Sequence, residues 1–306
     1  MRGALKQMGS VIFGAGYYGE CLKRGLEKHC GVRICAIVTN NERKWGEKID
    51  DVEISSPQKL VDMEFEKIFI CAMKKSSCSE MEMQLADMGI PSEKIVVMSR
   101  SREYVDAFAE EDPVRKNWIK AFSEYTKEAG MLGNVAECGV YYGNTAIFIN
   151  RYWSERTLYL FDTFEGFSDK DLEYDINSFS AFKNGSFTTN PFSGEPADSV
   201  IEVIKNRMSY PEKLEIHKGH FPECAGNIED KFCFVNLDMD LYQPQLDGLR
   251  YFWNKMEPGG IILLHDYYHP ELPGVKMAVM DFEKELGEML LKFPIGDHCS
   301  IAVMKR

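Results

Sequence analysis

The stretch FVNLDMDLY, residues 234–242, decides how the second half of the chain folds. It opens as an apolar run interrupted only by Asn236, which predicts a buried strand. Asp238 and Asp240 follow where the strand runs out, and alternation places both carboxylates on one face of an extended chain. Two like charges so close together are costly unless water, a cation or a ligand compensates them. The stretch therefore predicts a polar site at the carboxyl end of a strand.

A second strand end of the same kind follows in GGIILLHDYY, residues 259–268, which closes with His265 and Asp266. Ligands of open α/β sheets sit in the crevice beyond the carboxyl ends of the strands. The two ends together predict a small cation site in that crevice. The alternative is that the aspartates are helix N-caps, because Asp is a favoured cap and helical patterns follow both. For Asp240 this would be a cap on a helix that starts at Leu241 or Tyr242.

Composition indicates a globular protein without a nucleic acid partner. The 306 residues carry a formal net charge of −12, which argues against binding DNA or RNA by counterion release. No apolar run is long enough to span a bilayer. The nine cysteines have no CxxC spacing and lie mostly in apolar, strand-like contexts, which indicates buried, reduced thiols; the examples are Cys35, Cys71, Cys138 and Cys233. We expect a soluble, cytoplasmic protein.

Residues 1–98 predict a small Rossmann-like α/β domain. A short strand in SVIFGAGYYG precedes Gly14, Gly16 and Gly19, whose G-x-G-x-x-G spacing suits a tight turn and close approach to a phosphate. After the second strand, residues 39–41 read Thr-Asn-Asn where NAD-binding domains offer an acidic residue, which argues against NAD. Two interpretations remain open: a phosphate-binding site, or a docking or oligomerisation scaffold whose glycines serve backbone geometry.

Residues 99–112 are predicted to link this domain to a second one, residues 113–306. Pro113 fits the start of a helix. Apolar residues recur at helical spacing after it, so we expect the segment to pack on the second domain; they are Val114, Trp118, Ile119 and Phe122.

The second domain opens with NVAECGVYYGNTA, which predicts a strand ending in Glu137 and a turn with Gly139 and Gly143. The turn lacks a P-loop lysine, which suits a ligand with a sulfonium and a ribose but no phosphate. The next strand, in TLYLFDTFEGF, ends at Asp162, where an acidic side chain can accept both ribose hydroxyls. Strands that alternate with helices predict a parallel sheet, and the closing segments LLKFPIG and HCSIAVMKR predict a hairpin with an antiparallel edge.

The segment from Ser168 to Ala197 lacks clear periodicity. It is polar and contains four spaced phenylalanines, Phe179, Phe182, Phe187 and Phe192. Loops of this length inside a compact domain are usually lids or disordered. Two alternatives stay open: a lid whose aromatic rings close over cofactor and acceptor, or a satellite core.

Several ordered motifs of residues 113–306 resemble the macrocin O-methyltransferase (TylF-type) family of class I S-adenosylmethionine-dependent methyltransferases. They are AECGVYYGNTA, LYLFDTFEGF, YPEKLEIHKGHFPE, FVNLDMDLYQP, PGGIILLHDYY and GVKMAVMDF. The resemblance implies an α/β fold with a doubly wound, seven-stranded methyltransferase sheet, preceded here by the smaller Rossmann-like domain. It also implies transfer of a methyl group from S-adenosylmethionine to a sugar hydroxyl of a glycan or glycosylated natural product, with a divalent cation, usually magnesium.

The resemblance also implies roles for individual residues. Those expected to line the methionine part of the cofactor are Glu137, Gly139, Tyr141 and Gly143. Those expected to hold the ribose are Asp162, Thr163 and Phe164, and those near the adenosine are Gly219, His220 and Phe221. Asp238 matches a metal-binding aspartate that is also proposed as the base. Asp266 matches the second of two consecutive metal-binding acids.

His265 stands where the family has the first of those two acids. Magnesium prefers oxygen ligands, whereas imidazole suits softer metals or acts as a base. Two versions therefore stay open: Asp238, His265 and Asp266 bind Mg2+ or another divalent cation, or His265 is the general base.

Residues 1–98 resemble Rossmann-like domains fused to methyltransferases and sugar acyltransferases, and in some relatives such a domain holds a nucleotide-linked sugar. The alternative function is thus a nucleotide-sugar-binding protein whose second domain is non-catalytic or differently catalytic. Homo-oligomerisation is also left open.

Overall fold

The computed structural model describes residues 8–183, 192 and 194–306, and the chain divides into two compact units. The first unit comprises Met1–Pro113 and Glu202–Arg207, and the second comprises Val114–Ile201 and Met208–Arg306. Among the described residues, no helix has the length and apolar character needed to cross a membrane.

The first unit is built on a six-stranded sheet. Its elements are β1 (Ser10–Phe13), α1 (Tyr17–His29), β2 (Ile34–Val38), β3 (Lys48–Ile49), β4 (Val52–Ser55), β5 (Ile68–Ile70), α2 (Lys75–Asp87) and β6 (Ile95–Val97). The strand order is β3-β4-β2-β1-β5-β6, and only β3 is antiparallel to its neighbour. The predicted Rossmann-like α/β unit is therefore present. The short hairpin of β3 and β4 was not predicted.

The glycine turn between β1 and α1 has the geometry that its spacing indicates. Gly14 has φ +127°, a conformation that L side chains rarely adopt. A Cβ on Gly19 would lie 1.9 Å from the carbonyl oxygen of Gly14, so the helix approaches the turn too closely for a side chain. A Cβ on Gly16, by contrast, would meet no atom within 4 Å. Two of the three glycines are thus required by the fold and the third is not.

The predicted linker carries structure of its own. Residues Val105–Glu110 form a short 3-10 helix in which Val105, Ala107 and Phe108 are buried. The carbonyl oxygen of Ala107 lies only 1.9 Å from where a Cβ on Gly25 of α1 would stand. These residues therefore pack on α1 within the first unit.

The second unit is built on a seven-stranded sheet. Its elements are α3 (Pro113–Glu128), β7 (Asn134–Cys138), α4 (Ala146–Tyr152), β8 (Leu158–Asp162), α5 (Asp169–Phe179), the first part of α6 (Ala197–Arg207), β9 (Leu214–Lys218), β10 (Phe232–Leu237), α7 (Tyr242–Trp253), β11 (Met256–Leu264), α8 (Pro273–Leu286), β12 (Leu291–Pro294) and β13 (Ile301–Met304). The order is β12-β13-β11-β10-β7-β8-β9. The seven-stranded α/β sheet is therefore confirmed, with the terminal hairpin at one edge.

The hairpin of β12 and β13 makes this edge of the sheet antiparallel, as predicted. β13 is the antiparallel strand, and it lies between β11 and β12. The other strands are parallel, and all six residues of β10 are buried because helices cover both faces of such sheets. The carboxyl ends of the parallel strands consequently meet at one edge, where the site lies.

Helix α3 begins at Pro113 as predicted, but its buried face differs from the expected one. Ile119 and Phe122 are buried, whereas Val114 is 45% exposed. Arg115 takes the inward position instead, since residues spaced four and seven apart share one helix face. A charged residue on an otherwise apolar face is the first sign that α3 contributes to the site.

The segment from Ser168 to Ala197 is partly helical, contrary to the absence of periodicity in its sequence. Asp169–Phe179 form α5. Phe192 is 3% exposed, and its ring centroid lies 5.6 Å from that of Tyr141 and 5.7 Å from that of Tyr142. Phe182 packs against the core under the sheet, and Phe187 lies outside the described residues. Phe192 is therefore a packing residue on the turn after β7.

Candidate active site

Strands β7, β10 and β11 position the acidic residues through their register. Leu237 at the end of β10 pairs with Cys138 of β7 and Leu264 of β11. The ladder continues one residue further, because the Asp238 N–H donates to the Cys138 carbonyl at 2.8 Å and the His265 N–H donates to the Leu237 carbonyl at 2.9 Å. Backbone hydrogen bonds thus fix Asp238 and His265 side by side.

The structure brings Asp238, His265 and Asp266 together. His265 Nδ1 lies 2.9 Å from Asp238 Oδ1 and 2.8 Å from Asp266 Oδ2. The other oxygen of Asp238, Oδ2, accepts from Arg115 Nη1 at 2.8 Å, and Arg115 Nη2 donates to Thr145 Oγ1 at 3.1 Å. Each oxygen of Asp238 therefore faces a nitrogen donor, and one of these donors is a permanent cation.

The strand ends hold their acids in an unusual backbone conformation. Asp240 has φ +62° and Asp266 has φ +59°, in the left-handed region that is uncommon for residues other than glycine. Carboxylate oxygens of Asp238, Asp240 and Asp266 all lie within 4.8 Å of one another. Such backbone outliers cluster at functional sites, where the surrounding structure holds them in place.

The alternative that Asp240 caps the following helix is wrong. Helix α7 begins at Tyr242, as that alternative expected, but the residue at its N-cap makes no side-chain cap hydrogen bond. The Tyr242 N–H donates instead to both carboxylate oxygens of Asp175 at 3.1 Å. Asp175 belongs to α5 and is fully buried. A residue of one helix thus caps another, which leaves Asp240 available to the acidic cluster.

Neighbouring charges lower the pKa values of Asp238 and Asp266 and raise that of Asp240. Burial alone would raise the pKa of Asp238, but the charges of His265 and Arg115 outweigh it and hold the pKa well below its ordinary value. Burial and the charge of Asp266 raise the pKa of Asp240 well above its ordinary value. The pKa of Asp266 is lowered, because its contact with His265 outweighs burial. The three carboxyls of the cluster therefore differ in pKa although their oxygens lie within 4.8 Å of one another.

The turn after β7 has the close approach expected of a cofactor-binding loop. Gly139 has φ +80°, and a Cβ there would lie 1.8 Å from the Asp238 carbonyl oxygen. Glu137 is 1% exposed, and its Oε1 accepts from Asn236 Nδ2 at 2.8 Å. Within the described residues, Glu137 Oε2 has no hydrogen-bond partner. Burial, together with the charge of Asp238, raises the pKa of Glu137 to about 8. An orphaned, buried carboxylate of this kind fits a cationic ligand group.

Asp162 organises two turns with its carboxylate. Oδ2 accepts from the N–H groups of Val140 and Tyr141 at 2.7 and 3.0 Å, and Oδ1 accepts from the Phe164 N–H at 2.7 Å. The hydroxyl of Thr163 donates to the Gly166 carbonyl at 2.7 Å within the second turn. A carboxylate has about four acceptor positions, so these three bonds leave room for a ribose hydroxyl.

The remaining predicted cofactor residues occupy different environments. Gly143 has φ +80° and its N–H donates to the Val140 carbonyl at 2.8 Å. The Gly219 N–H donates to the Asp162 carbonyl at 3.0 Å, which places Gly219 beside the predicted ribose position, and His220 is exposed. The Phe164 side chain is fully buried. The Phe221 ring packs on core phenylalanines, 5.5 Å from Phe161 and 5.9 Å from Phe252 between centroids. Both phenyl rings are therefore core groups.

Among the residues that the structure describes, two groups of side chains could hold a metal ion, and both include Asp266. One consists of Asp238, Asp240 and Asp266, and the other of His265, Asp266 and Cys299; in each, the potential ligand atoms lie within 4.8 Å of one another. The site therefore fits a divalent cation.

Sequence analysis missed three residues that the structure places in or beside this cluster: Arg115, Asp175 and Cys299. A charged residue at the inward spacing of α3 was a usable signal for Arg115. Asp175 and Cys299 gave none, because each is far along the chain from the residue it contacts.

Comparison with known families assigns both parts of the chain. The macrocin-O-methyltransferase (TylF) family matches residues 114–295, and a family described as C2185-like, N-terminal, matches residues 7–96. A curated relative from Streptomyces olivaceus, 8-demethyl-8-(2,3-dimethoxy-alpha-L-rhamnosyl)-tetracenomycin-C 4'-O-methyltransferase, is 23% identical over 167 residues, or 52% of this chain. The match spans 60% of that relative's length.

A solved structure shares the fold. The O-methyltransferase NovP aligns with a TM-score of 0.54 and 21% identity, over 63% of this chain and 79% of NovP. The family match extends over more than half of the chain and includes the ends of β7, β8, β10 and β11. This protein is therefore a member of the macrocin-O-methyltransferase (TylF) family.

Proposed function

We propose that the chain transfers the methyl group of S-adenosylmethionine to a hydroxyl of a sugar, in a glycan or a glycosylated natural product. The observation that supports this most is the cluster of Asp238, His265 and Asp266 beside Glu137 of β7 and the turn at Gly139. The family consists of O-methyltransferases, and the curated relative is named for a rhamnosyl-bearing substrate.

The cofactor's place is inferred from the residues that fit its groups. S-adenosylmethionine supplies an activated methyl group on a sulfonium when bound. Glu137 with its orphaned Oε2 suits the cationic methionine part, and Asp162 suits the ribose. Gly139, Tyr141, Gly143, Thr163 and Gly219 would contribute turn backbone, and the exposed His220 would border the adenosine, whereas the rings of Phe164 and Phe221 belong to the core.

Deprotonation of the acceptor hydroxyl is the step that this chain must assist. A sugar hydroxyl is a poor nucleophile until it loses its proton in the transition state. A positioned base that accepts this proton lowers the activation barrier of methyl transfer. We assign this role to the Asp238–His265 pair, whose atoms Oδ1 and Nδ1 are 2.9 Å apart. The carboxylates of Asp238 and Asp266 fix the imidazole ring, as acidic partners do in other acid–base sites. Holding the acceptor hydroxyl and the methyl donor in the correct orientation supplies much of the remaining rate enhancement.

A divalent cation, Mg2+ or another, belongs to the proposal. Asp238, His265 and Asp266 are the donors that the family resemblance implies, and a cation held at this cluster would lower the pKa of a bound hydroxyl. We further propose residues 1–98 as a separate domain, 99–112 as a connector that packs on it, and 113–306 as the methyltransferase domain. We propose that the protein acts in the cytoplasm on a small-molecule or glycan acceptor without nucleic acid. A homo-oligomer is compatible with this proposal.

Two experiments test the function. Calorimetric titration with S-adenosylmethionine is expected to give a binding isotherm and a thermal shift, and the absence of both would contradict it. Incubation with methyl-labelled S-adenosylmethionine and a panel of free sugars and glycosides is expected to label a sugar. Rigorous chelation separates deprotonation assisted by a cation from deprotonation by His265 alone. Full activity after chelation would assign the base role to His265 without a metal.

A second candidate function rests on the first unit. The open position at Gly16, at the N-terminus of α1, leaves space where a phosphate could approach the helix. Under this alternative the protein binds a nucleotide-linked sugar there, and a bulky residue at Gly16 abolishes that binding.

A further inference from the structure

We propose that the cation of the site is bound by His265, Asp266 and Cys299, a mixed set of imidazole, carboxylate and thiolate donors that selects a borderline ion such as Zn2+ or Co2+ over Mg2+. This inference rests on the proposed function only for the role of the cation, since the donor set is defined by the structure itself.

Strand register places Cys299 opposite Asp266. β13 runs antiparallel to β11, and Leu264 pairs with Ile301. Asp266 lies two residues after Leu264, and Cys299 lies two residues before Ile301. The same antiparallel register therefore places Asp266 opposite Cys299. Cys299 Sγ accordingly lies 3.0 Å from Asp266 Oδ1, while Asp266 Oδ2 is 2.8 Å from His265 Nδ1. A sulfur and a nitrogen donor therefore lie on the two oxygens of one carboxylate.

The backbone around Cys299 is held on both sides. Its N–H donates to Asp297 Oδ1 at 3.0 Å, and its carbonyl accepts from the Tyr268 N–H at 3.0 Å. The next residue, Ser300, donates its N–H to Asp297 Oδ1 at 2.7 Å. The thiol is therefore presented by a fixed loop, as a metal site requires.

The oxygen-only set is the poorer cation site. It depends on Asp238, whose Oδ2 is already paired with the Arg115 guanidinium at 2.8 Å and whose Oδ1 faces His265. A divalent ion on Asp238 would lie next to a permanent positive charge. Arg115 pairs with Asp238, which is not part of the mixed set. One oxygen of Asp266 contacts the His265 imidazole and the other contacts the Cys299 thiol.

The donor types decide which ion is preferred. Mg2+ requires oxygen ligands in near-octahedral geometry, whereas thiolate and imidazole suit Zn2+ and related ions. In the ion-free protein the Cys299 thiol donates to Asp266. Binding of a metal displaces that proton, so affinity is expected to rise with pH.

Cobalt spectroscopy on the full chain tests the proposal. Protein stripped of metal and kept reduced is titrated with Co2+ alone. The expected result is a thiolate-to-cobalt charge-transfer band in the near ultraviolet, which Zn2+ abolishes and a large excess of Mg2+ does not. Cys299→Ser is expected to lose the band and to weaken Co2+ binding by at least about tenfold, since even outer-shell partners change metal affinity by about 10–100-fold. Cys224→Ser, a partly buried thiol of the same unit, is expected to keep the band.

A measurement on the wild-type chain keeps the proposal testable even if the Cys299→Ser chain fails to fold. X-ray absorption of the zinc-loaded wild-type chain is expected to show a sulfur neighbour at about 2.3 Å. Absence of Co2+ binding, Co2+ binding without the thiolate band, a sulfur-free zinc shell, or displacement by equimolar Mg2+ would each overturn the inference. Methyl transfer is measured on the same preparations. Transfer without the band contradicts only the metal assignment, and the band without transfer contradicts only the proposed function.

Discussion

Asp238 lies between a guanidinium and an imidazole, and this pairing determines what the residue can do. Arg115 is one of its two partners and is almost completely buried. Removing one member of a buried ion pair leaves the other charge uncompensated, which costs about 3–5 kcal/mol. Arg115 is therefore a positioning residue for Asp238 as well as a stabilising one.

We predict that Arg115→Met lowers the free energy of unfolding by up to about 3–5 kcal/mol. It is also expected to lower kcat for methyl transfer by at least about tenfold, which corresponds to 1.4 kcal/mol, because the carboxylate of Asp238 loses its fixed orientation. The Kd for S-adenosylmethionine should change little. Denaturant unfolding, calorimetry and a labelled-methyl assay measure the three quantities. The control is Lys120→Met, an exposed cation on the same helix. An Arg115→Met chain with full kcat would contradict this role.

The raised pKa of Glu137 predicts how the stability of the folded chain depends on pH. Burial raises its pKa in the folded chain to about 8, from an ordinary 4.5. Between these values the folded state keeps a proton that the unfolded state has lost, so this residue makes stability fall as pH rises from about 4.5 to about 8. We predict that Glu137→Gln stabilises the ligand-free chain more at pH 8 than at pH 5 and weakens S-adenosylmethionine binding.

Denaturant unfolding of wild type and Glu137→Gln at both pH values measures the difference. Glu124→Gln, on an exposed position of α3, is the control and should shift both curves equally. A Glu137→Gln gain that is the same at both pH values would show that the carboxyl does not carry the raised pKa.

The residues that the sequence revealed are those that follow strands directly. Asp238, His265 and Asp266 could be placed together because the carboxyl ends of neighbouring parallel strands share an edge. Asp175 and Cys299 could not, and the inward spacing of Arg115 on α3 indicated its burial but not its partner, because these contacts depend on how α3, α5 and the β12–β13 loop pack against that edge. No local pattern encodes such long-range contacts.

At the level of elements, the start of α7 depends on α5. The Asp175 carboxylate accepts the first N–H of α7, and Gly274 of α8 provides the space, since a Cβ there would lie 2.2 Å from Asp175 Oδ2. Burial raises the pKa of Asp175 to about 6. The residues immediately before α7 are the ones that carry the acidic cluster, so α5 supports the site without contacting it.

We predict that Asp175→Ala destabilises the chain by about 0.5–2 kcal/mol, the usual cost of losing a helix cap. It is also expected to lower kcat more than it changes the Kd for S-adenosylmethionine, because the Asp238–Asp240 loop loses its anchor. Asp169→Ala, in the exposed first turn of α5, is the matched control. Equal effects of the two substitutions on stability and kcat would contradict a capping role.

Helix α5 also shows where periodicity fails as a guide. Its sequence, DKDLEYDINSF, buries only Asp175, so it has no apolar stripe to recognise. The β-strands were easier to predict, because those of a parallel sheet are apolar on both faces and read as continuous runs. The β3–β4 hairpin was missed because one of its strands has only two residues.

At the level of the whole molecule, the two units make separable predictions. Gly16 can be replaced without a steric clash, whereas Gly19 cannot. We predict that Gly16→Leu leaves methyl transfer to a free sugar unchanged and costs no more than about 1 kcal/mol, the usual scale of an unfavourable N-cap. Gly19→Leu is the structural control and should unfold the first unit. Loss of transfer to a free sugar in a folded Gly16→Leu chain would favour the nucleotide-sugar alternative.

The division into two α/β units could be predicted because each repeats the alternation of strand and helix. The order of strands in the second sheet required the structure, since β13 inserts between β11 and β12 although it comes last in the chain. That insertion is what brings Cys299 beside Asp266.

Under the proposed function, a methyl donor and an acid–base pair meet at the ends of β7, β10 and β11. Comparing S-adenosylmethionine binding and labelled-methyl transfer to a sugar panel in wild type and Asp238→Asn tests this meeting. We predict that both chains bind S-adenosylmethionine with similar Kd and that Asp238→Asn loses transfer by about 10²–10⁴-fold, the usual contribution of a general base. A wild-type chain that fails to bind S-adenosylmethionine, or an Asp238→Asn chain that still transfers the methyl group at the wild-type rate, would contradict the claim.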